Sequence, residues 1–446
     1  MAVPGQTFLH DLISSIVERR SPFGRVSDNR PLDTLCHELL SGLGEVSSKR
    51  IGAAILDRYR TLSADDQLAL FQFLADDLDL DVDAVASANE AYRTEPSAEN
   101  LASLIEAAEP RRQELLRRLN HVPNATGALV SMRADLGHLM HDHPALKRVD
   151  LDFSHLLSSW FNRGFLEVQP ISWNTSASVL AKIIQYEAVH AINDWDDLRR
   201  RLQPSDRRCF AFFHPAMRDE PLVFVEVALC KGTPNSVQSL LSEERDVLEA
   251  EDADTAVFYS ISNCQAGLRG ISFGNSLIKQ VVSDLSVDLP GLQTFVTLSP
   301  IPGFSNWLTS ALSPASVEEV NYAKNTDGSS VLEALAPYED DLKALAARYL
   351  LNAKRDDGLP RDPVARFHLG NGASVYALHA MADVSPNGIG QSFGVMVNYH
   401  YEMSQIETNH EDFAVHGRVT AARGLTQLAA AKLSRLVAAS EEKAPE

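Results

Sequence analysis

Cysteine is scarce in this chain of 446 residues: Cys36, Cys209, Cys230 and Cys264 stand far apart, with no C-x-x-C pair. That spacing argues against a structural zinc site and for reduced thiols in a reducing compartment. Positive charge is also short, with 40 Lys and Arg against 60 Asp and Glu and a formal net charge of −20. Such a chain binds nucleic acid or an anionic membrane poorly, so any polyanionic ligand must be held by a local site. No apolar run approaches the roughly 18 residues needed to cross a bilayer. The N-terminus, MAVPGQTFLHDLISSIVERR, lacks the apolar stretch of a signal peptide, and the tail SEEKAPE lacks a Ser-Lys-Leu ending. A cytoplasmic location is expected.

Strand-like alternation is nearly absent before residue 150. Residues 8–19, 31–43, 51–62 and 65–78 instead place Leu, Ile, Val and Phe at three- and four-residue spacings, the period of helices with one buried face. Ser63-Ala64-Asp65-Asp66 resembles a capping box, Pro96-Ser97 opens a further helix, and Pro110 precedes the helical run RRQELLRRLNHV. From about 150, short β-branched and aromatic runs appear: FLEVQPISW, CFAFFHP, PLVFVEVAL, TAVFYSIS and LQTFVTLSPI. The helical segments SASVLAKIIQYEAVHAI and GNSLIKQVVSDL lie between them. FGVMVNYHYE reads as a late strand, and 417–440 as a long closing helix. The pattern is α+β: an all-helical domain over 1–148, then an α/β domain with a central sheet over 149–446.

Three segments after residue 250 have the chemistry of a site. In FYSISNCQAGLRGISFGNSLIKQVV a strand runs into a loop headed by Gln265 and carrying Gly267, Gly270 and Gly274, then into a helix. Such a loop can hold a pyrophosphate on backbone N–H groups, or it can be a turn and nothing more. Its spacing is neither the dinucleotide fingerprint nor a P-loop. In FVTLSPIPGF, Pro300 forces Ser299 out of helical geometry, which either presents the hydroxyl or merely caps a turn. No G-x-S-x-G elbow surrounds it. In RFHLGNGASVYALHAMADVSPNGIGQSFGVMVNYHYE, His368 lies beside Gly370, Asn371 and Gly372 rather than on an apolar helix face. A strand bearing Asn398 and Tyr401 follows. Elsewhere, HLMHDHP suits a helix end better than a metal cluster, Glu226 reads as a polar residue on a sheet face, and Arg199, Arg200 and Arg201 read as an exposed helix end.

The blocks CFAFFHPAMRDEPLVFVEVAL, FYSISNCQAGLRGISFGNSLIKQVV, LSPIPGF, FHLGNGA and MADVS followed by NY-x-Y occur in this order and resemble the malonyl-CoA decarboxylase family over residues 150–420. The resemblance implies a helical domain used in self-association, hence a homo-oligomer (dimer or tetramer). It also implies an acyl-CoA-binding catalytic domain of the acetyltransferase-like (GNAT) fold with a central mixed sheet. Carried over by position, it marks Ser299 and His368 as catalytic and Ser260 and Tyr401 as substrate-binding; Asn398, Gln265, Gly267, Gly270 and Gly274 join them as the surrounding lining. The chain departs from animal members at Ser272, where they have a glutamate, so no acidic role is carried to that position. The expected partners are malonyl-CoA and acetyl-CoA, with no nucleic acid and no membrane.

No metal or other cofactor is expected, because the carboxylate of malonyl-CoA is β to a thioester carbonyl that can take up the electrons. His368 would bond the thioester oxygen and later supply the proton, and Ser299 would orient His368 or the carboxylate. A covalent acetyl-Ser299 is the rival mechanism. An acyl-CoA-dependent N-acyltransferase and a non-catalytic acyl-CoA-binding protein are the alternative functions.

Overall fold

A computed structural model describes residues 30–271, 277–325 and 330–437. The chain divides into two compact units, Met1–Leu156 and Leu157–Glu446, the division falling inside the helix Lys147–Trp160. The expected helix over 8–19, Ser272 and Gly274 lie outside the described residues.

The first unit is helical throughout its described residues, as its periodicity predicts. Helices Leu32–Leu40, Glu45–Tyr59, Ala64–Asp76, Arg111–Asn120 and Ala125–Leu139 bury Leu35, Leu39, Ile55, Phe71, Leu74, Leu115, Leu119, Leu129 and Leu136. The expected caps are present: Ser63 Oγ accepts from Asp66 N at 3.2 Å, and Ser97 Oγ from Asn100 N at 3.2 Å. Inside this core Arg112 is buried against Asp152 and bonds Asp79 at 2.7 Å. Helices Val82–Thr94 and Ala98–Ala107 form a hairpin that buries no residue in this chain, with Val82 and Ile105 largely exposed.

The second unit is built on a mixed sheet of eight strands: β1 (Glu167–Ile171), β2 (Arg207–Phe213), β3 (Val223–Cys230), β4 (Thr255–Asn263), β5 (Thr294–Thr297), β6 (Ser299–Pro300), β7 (Ser374–His379) and β8 (Met396–His400). The order is β1-β2-β3-β4-β5-β8-β6, with β7 on β8. Strands β4 and β5 are parallel, joined through the helix Leu277–Asp288; the other neighbours are antiparallel. Strand β3 is buried along nearly its whole length, which is why it reads as an unbroken apolar run. One sheet face packs Cys209, Ala211, Phe213 and Phe224 against Val179, Leu180, Ile183 and Leu198 of the helices Ala177–Tyr186 and Trp195–Leu202.

Three features differ from the sequence expectations. The long closing helix expected over 417–440 is not formed in its described part, 417–437. Gly417 adopts φ +61° after the helix Ile406–His416, Ala421 makes a bridge to Val375, and beyond it only Arg423–Ala430 is helical among the described residues. Strand β7 was hidden because SVYALH pairs along one edge of β8 and mixes exposed with buried positions. His368, read from the sequence as lying beside glycines rather than on a helix face, sits in the last turn of the helix Pro363–Gly370.

Candidate active site

The site forms where the parallel strands part. Pairing of β4 with β5 runs from Thr255 opposite Thr294 to Phe258 opposite Thr297, and then stops. Beyond that point β4 continues along β3, whereas the chain after Leu298 turns onto β8, with Ser299 opposite Val397. A bulge marks the same level: Glu226 faces Ser260 and Val227 faces Phe258, leaving Tyr259 without a ladder partner. The split opens a cleft of about 260 Å³ lined by Val189, Phe258, Tyr259, Ile261 and Asn263 on one side and Ser299, Pro300, Val364, Phe367 and His368 on the other.

His368 is delivered to this cleft by a short helix fixed at both ends. Asp362 caps its start, accepting from Ala365 N at 2.9 Å. At its end, Ala373 N bonds His368 O at 3.1 Å and Gly372 N bonds Leu369 O at 2.9 Å, a Schellman closure with Gly372 at φ +83°. A Cβ on Gly372 would stand 2.2 Å from Ile406 O. The motif FHLGNGA is therefore a helix end that fixes the histidine.

Within the cleft wall, Ser299 Oγ lies 3.2 Å from His368 Nε2 and donates to Thr297 Oγ1 at 2.8 Å. His368 Nδ1 lies 2.8 Å from the Tyr401 hydroxyl. The Tyr399 ring stacks on the imidazole, centroids 4.5 Å apart at 22°. All of these groups are buried. Burial pushes the His368 imidazole down to about 3, so it is neutral at physiological pH, and burial raises the Tyr401 hydroxyl well above the usual tyrosine range. A neutral imidazole hydrogen-bonded on both nitrogens, beside a serine and open to a cleft, can polarise a carbonyl oxygen and move a proton.

Two matches to family models cover most of the chain. Residues 164–440 match the malonyl-CoA decarboxylase C-terminal domain, and residues 79–161 match the N-terminal domain of the same family. The mitochondrial malonyl-CoA decarboxylase of Anser anser anser is 35% identical over 405 residues, 81% of this chain and 80% of that protein. The crystal structure of malonyl-CoA decarboxylase from Rhodopseudomonas palustris is 50% identical with a TM-score of 0.83, covering 89% of this chain and 98% of that one. That from Cupriavidus metallidurans is 33% identical with a TM-score of 0.70, again covering 89% and 98%.

The chain belongs to the malonyl-CoA decarboxylase family.

In this family member Ser299, His368 and Tyr401 meet as one hydrogen-bonded chain. The remaining candidates lie elsewhere. Ser260 does not line the cleft: its hydroxyl bonds both carboxylate oxygens of Glu187, at 2.8 and 2.7 Å. Asn398 is buried, its Nδ2 bonding Thr297 O at 2.6 Å and its Oδ1 touching His379 Nε2. Gln265 Nε2 bonds Pro221 O at 3.1 Å ahead of the turn Ala266–Leu268, which contains Gly267, and Gly270 follows with φ +80°. Asn398, Gln265, Gly267 and Gly270 do not line the cleft, and the helix start expected to hold a phosphate falls on the residues not described.

Sequence reasoning missed several supporting groups of this decarboxylase-family site. Thr297 reads as one more β-branched strand residue, and Tyr399 as a core aromatic. Arg201, expected at an exposed helix end, is buried; it bonds Glu226 at 3.2 Å, His190 O at 2.8 Å and Ala191 O at 3.0 Å. Burial first, and the nearby Glu187 charge second, push the Glu226 carboxyl up to about 8. Glu187 clamps the turn that carries Val189 into the cleft, accepting from Val189 N at 2.7 Å and His190 N at 2.8 Å as well as from Ser260. Only the proximity of the FYSIS serines to a buried acid could have revealed it, and that is a contact between residues 73 positions apart.

Proposed function

We propose that this protein decarboxylates malonyl-CoA to acetyl-CoA and carbon dioxide, and that the chain Ser299–His368–Tyr401 at the split between β4 and β5 does the work. That chain, on the wall of a partly apolar cleft, is the observation that carries the reading. The C2–carboxylate bond breaks with its electrons entering the thioester carbonyl, giving carbon dioxide and an enolate; C2 then takes one proton. The groups required are a donor at the nascent oxyanion and one proton source, and the N–H of a neutral His368, held in place by Ser299, can serve as both. Apolar neighbours such as Phe258, Ile261 and Val364 keep water from the carboxylate, favouring its departure as a neutral gas. N-acyl transfer would need an amine acceptor, and the family matches do not favour it.

No cofactor enters this scheme, because the substrate's own thioester is the electron sink. The decisive assay is release of acetyl-CoA and carbon dioxide from malonyl-CoA by purified protein, with and without chelator. Chelator-resistant turnover supports the reading; well-folded protein without turnover overturns it.

We also propose that the protein is a cytoplasmic homo-oligomer. Four free cysteines, three of them buried, suit a reducing compartment. The hairpin Val82–Ala107 supports self-association, since two short helices with no buried face gain little stability alone and a second copy could cover Val82 and Ile105. Cell fractionation and light scattering on the full chain test the two statements.

A further inference from the structure

We propose that Thr297 is a positioning residue for the decarboxylation read above: its hydroxyl sets the direction of the hydrogen-bond chain, so that His368 meets the substrate as an Nε2–H donor and not as a base for Ser299.

The direction follows from the contact between Ser299 and Thr297, in which Ser299 donates. Thr297 is fully buried at the break between β5 and β6. Its carbonyl is taken by Asn398 Nδ2 at 2.6 Å, and Tyr399 N, which would otherwise complete the ladder, donates instead to Thr297 Oγ1 at 3.1 Å. The second lone pair of that hydroxyl accepts from Ser299 Oγ at 2.8 Å. A serine hydroxyl has one proton to give. Once Ser299 gives it to Thr297, Ser299 can only accept from His368 Nε2, 3.2 Å away, so Nε2 must carry the hydrogen. A neutral imidazole has a single N–H, which leaves Nδ1 to accept from the Tyr401 hydroxyl at 2.8 Å. The chain is therefore directional from end to end: Tyr401 O–H to Nδ1, Nε2–H to Ser299, Ser299 O–H to Thr297.

This direction bears on mechanism. A thioester oxygen entering beside Ser299 shares an N–H that already points toward the cleft wall. When C2 takes the Nε2 proton, the Tyr401 proton shifts to Nδ1; as water entering the emptied cleft then gives a proton to Nε2, Nδ1 returns its own to Tyr401 and the Nε2–H form is restored. Attack by Ser299 on the thioester needs the opposite arrangement, with a bare Nε2 receiving the serine proton.

The test uses the full-length protein, its Thr297→Val and Thr297→Ser variants, and histidine labelled with nitrogen-15, the His368 signals being assigned by their loss in His368→Asn. We expect the wild-type His368 to be protonated on Nε2 with a bare Nδ1. Thr297→Val should mix the tautomers and lower kcat about a hundredfold, the effect of one lost preorganised donor, with KM changed by less than about twofold. Thr297→Ser should restore both the tautomer and most of kcat. An Nδ1–H tautomer in the wild type, or unchanged kcat in a folded Thr297→Val, overturns the proposal. The tautomer is read without malonyl-CoA, so the two readings fail separately: an inactive protein with Nε2–H refutes the decarboxylase reading, and an active one with Nδ1–H refutes the role of Thr297.

Discussion

Exchange of His368 for asparagine should make the second unit less sensitive to acid, and the size of the effect follows from the burial of the imidazole. Burial holds its folded-state pKa at about 3, against about 6.5 in the unfolded chain. A depressed folded-state value means that the unfolded chain binds the proton first. The stability contribution is therefore present above pH 6.5 and is lost progressively as pH falls toward 3. At pH 7.5 the loss is negligible; at pH 5 it is about 2 kcal/mol, since each unit below 6.5 costs about 1.4 kcal/mol. The variant has its own constant offset, from the changed shape and lost bonds to Ser299 and Tyr401, but lacks this slope. Trp160, Trp173, Trp195 and Trp307 all lie in the second unit, so urea titrations followed by tryptophan fluorescence report on it. Between pH 7.5 and pH 5 the wild type should lose about 2 kcal/mol more than His368→Asn. Equal losses would refute the claim that His368 is buried as the neutral imidazole.

Ser299→Ala should lower kcat about a hundredfold, because the acceptor that aims the His368 Nε2–H is lost, and intact-mass spectra of wild-type protein under turnover should show no acetyl adduct; an adduct on Ser299 would refute the non-covalent scheme. Gly303→Ala should destabilise the second unit by roughly 1–3 kcal/mol, because its Cβ would stand 2.1 Å from the Tyr349 hydroxyl, whose ring packs against both Phe304 and Trp307; unchanged urea midpoints would show that the ring can yield. Glu187→Gln puts an amide N–H₂ among four donors and should cost about 2–4 kcal/mol while raising KM through the displaced Val189 turn; a folded variant with normal KM would remove that turn from substrate binding.

Elements were legible where one pattern fixed one face. The helices of the first unit and strands β2, β3 and β4 carry their periodicity or unbroken apolar runs openly. The closing helix was not legible as broken, because Gly417 and the bridge from Ala421 to Val375 act on residues whose local preference is helical. For the site, the resemblance located Ser299, His368 and Tyr401, and the fold brings them together. Ser260 shows the limit of that method. Carried over from a motif, it was expected to touch substrate, yet on β4 it pairs with Glu226 and bonds Glu187 instead. Spacing along a strand gives a residue's face only if the strand has no bulge, and this strand has one at Tyr259.

That bulge and the strand split at Thr297 occur at the same level of the sheet, and the coincidence explains why function concentrates there. A regular ladder uses every backbone N–H and C=O and leaves little for a ligand. Here two irregularities side by side release polar groups over a short distance: Tyr259 is unpaired on β4, while Thr297 and Ser299 turn away on the other side. The molecule then satisfies the released groups selectively. Asn398 covers the Thr297 carbonyl, Thr297 covers Tyr399 N, and Glu187 holds the Val189 turn against β4. Of the Ser299–His368–Tyr401 chain, Ser299 and the Nε2 side of His368 face the cleft, across from Tyr259 and Asn263. Residues that the motifs mark outside this pair are thus better understood as the means by which the sheet stays open without stray donors. On this view, exchanges at Asn398 or Glu187 should lower activity by letting the split close or shift, and exchanges at Ser299 or His368 by removing the chemistry from a cleft that keeps its shape.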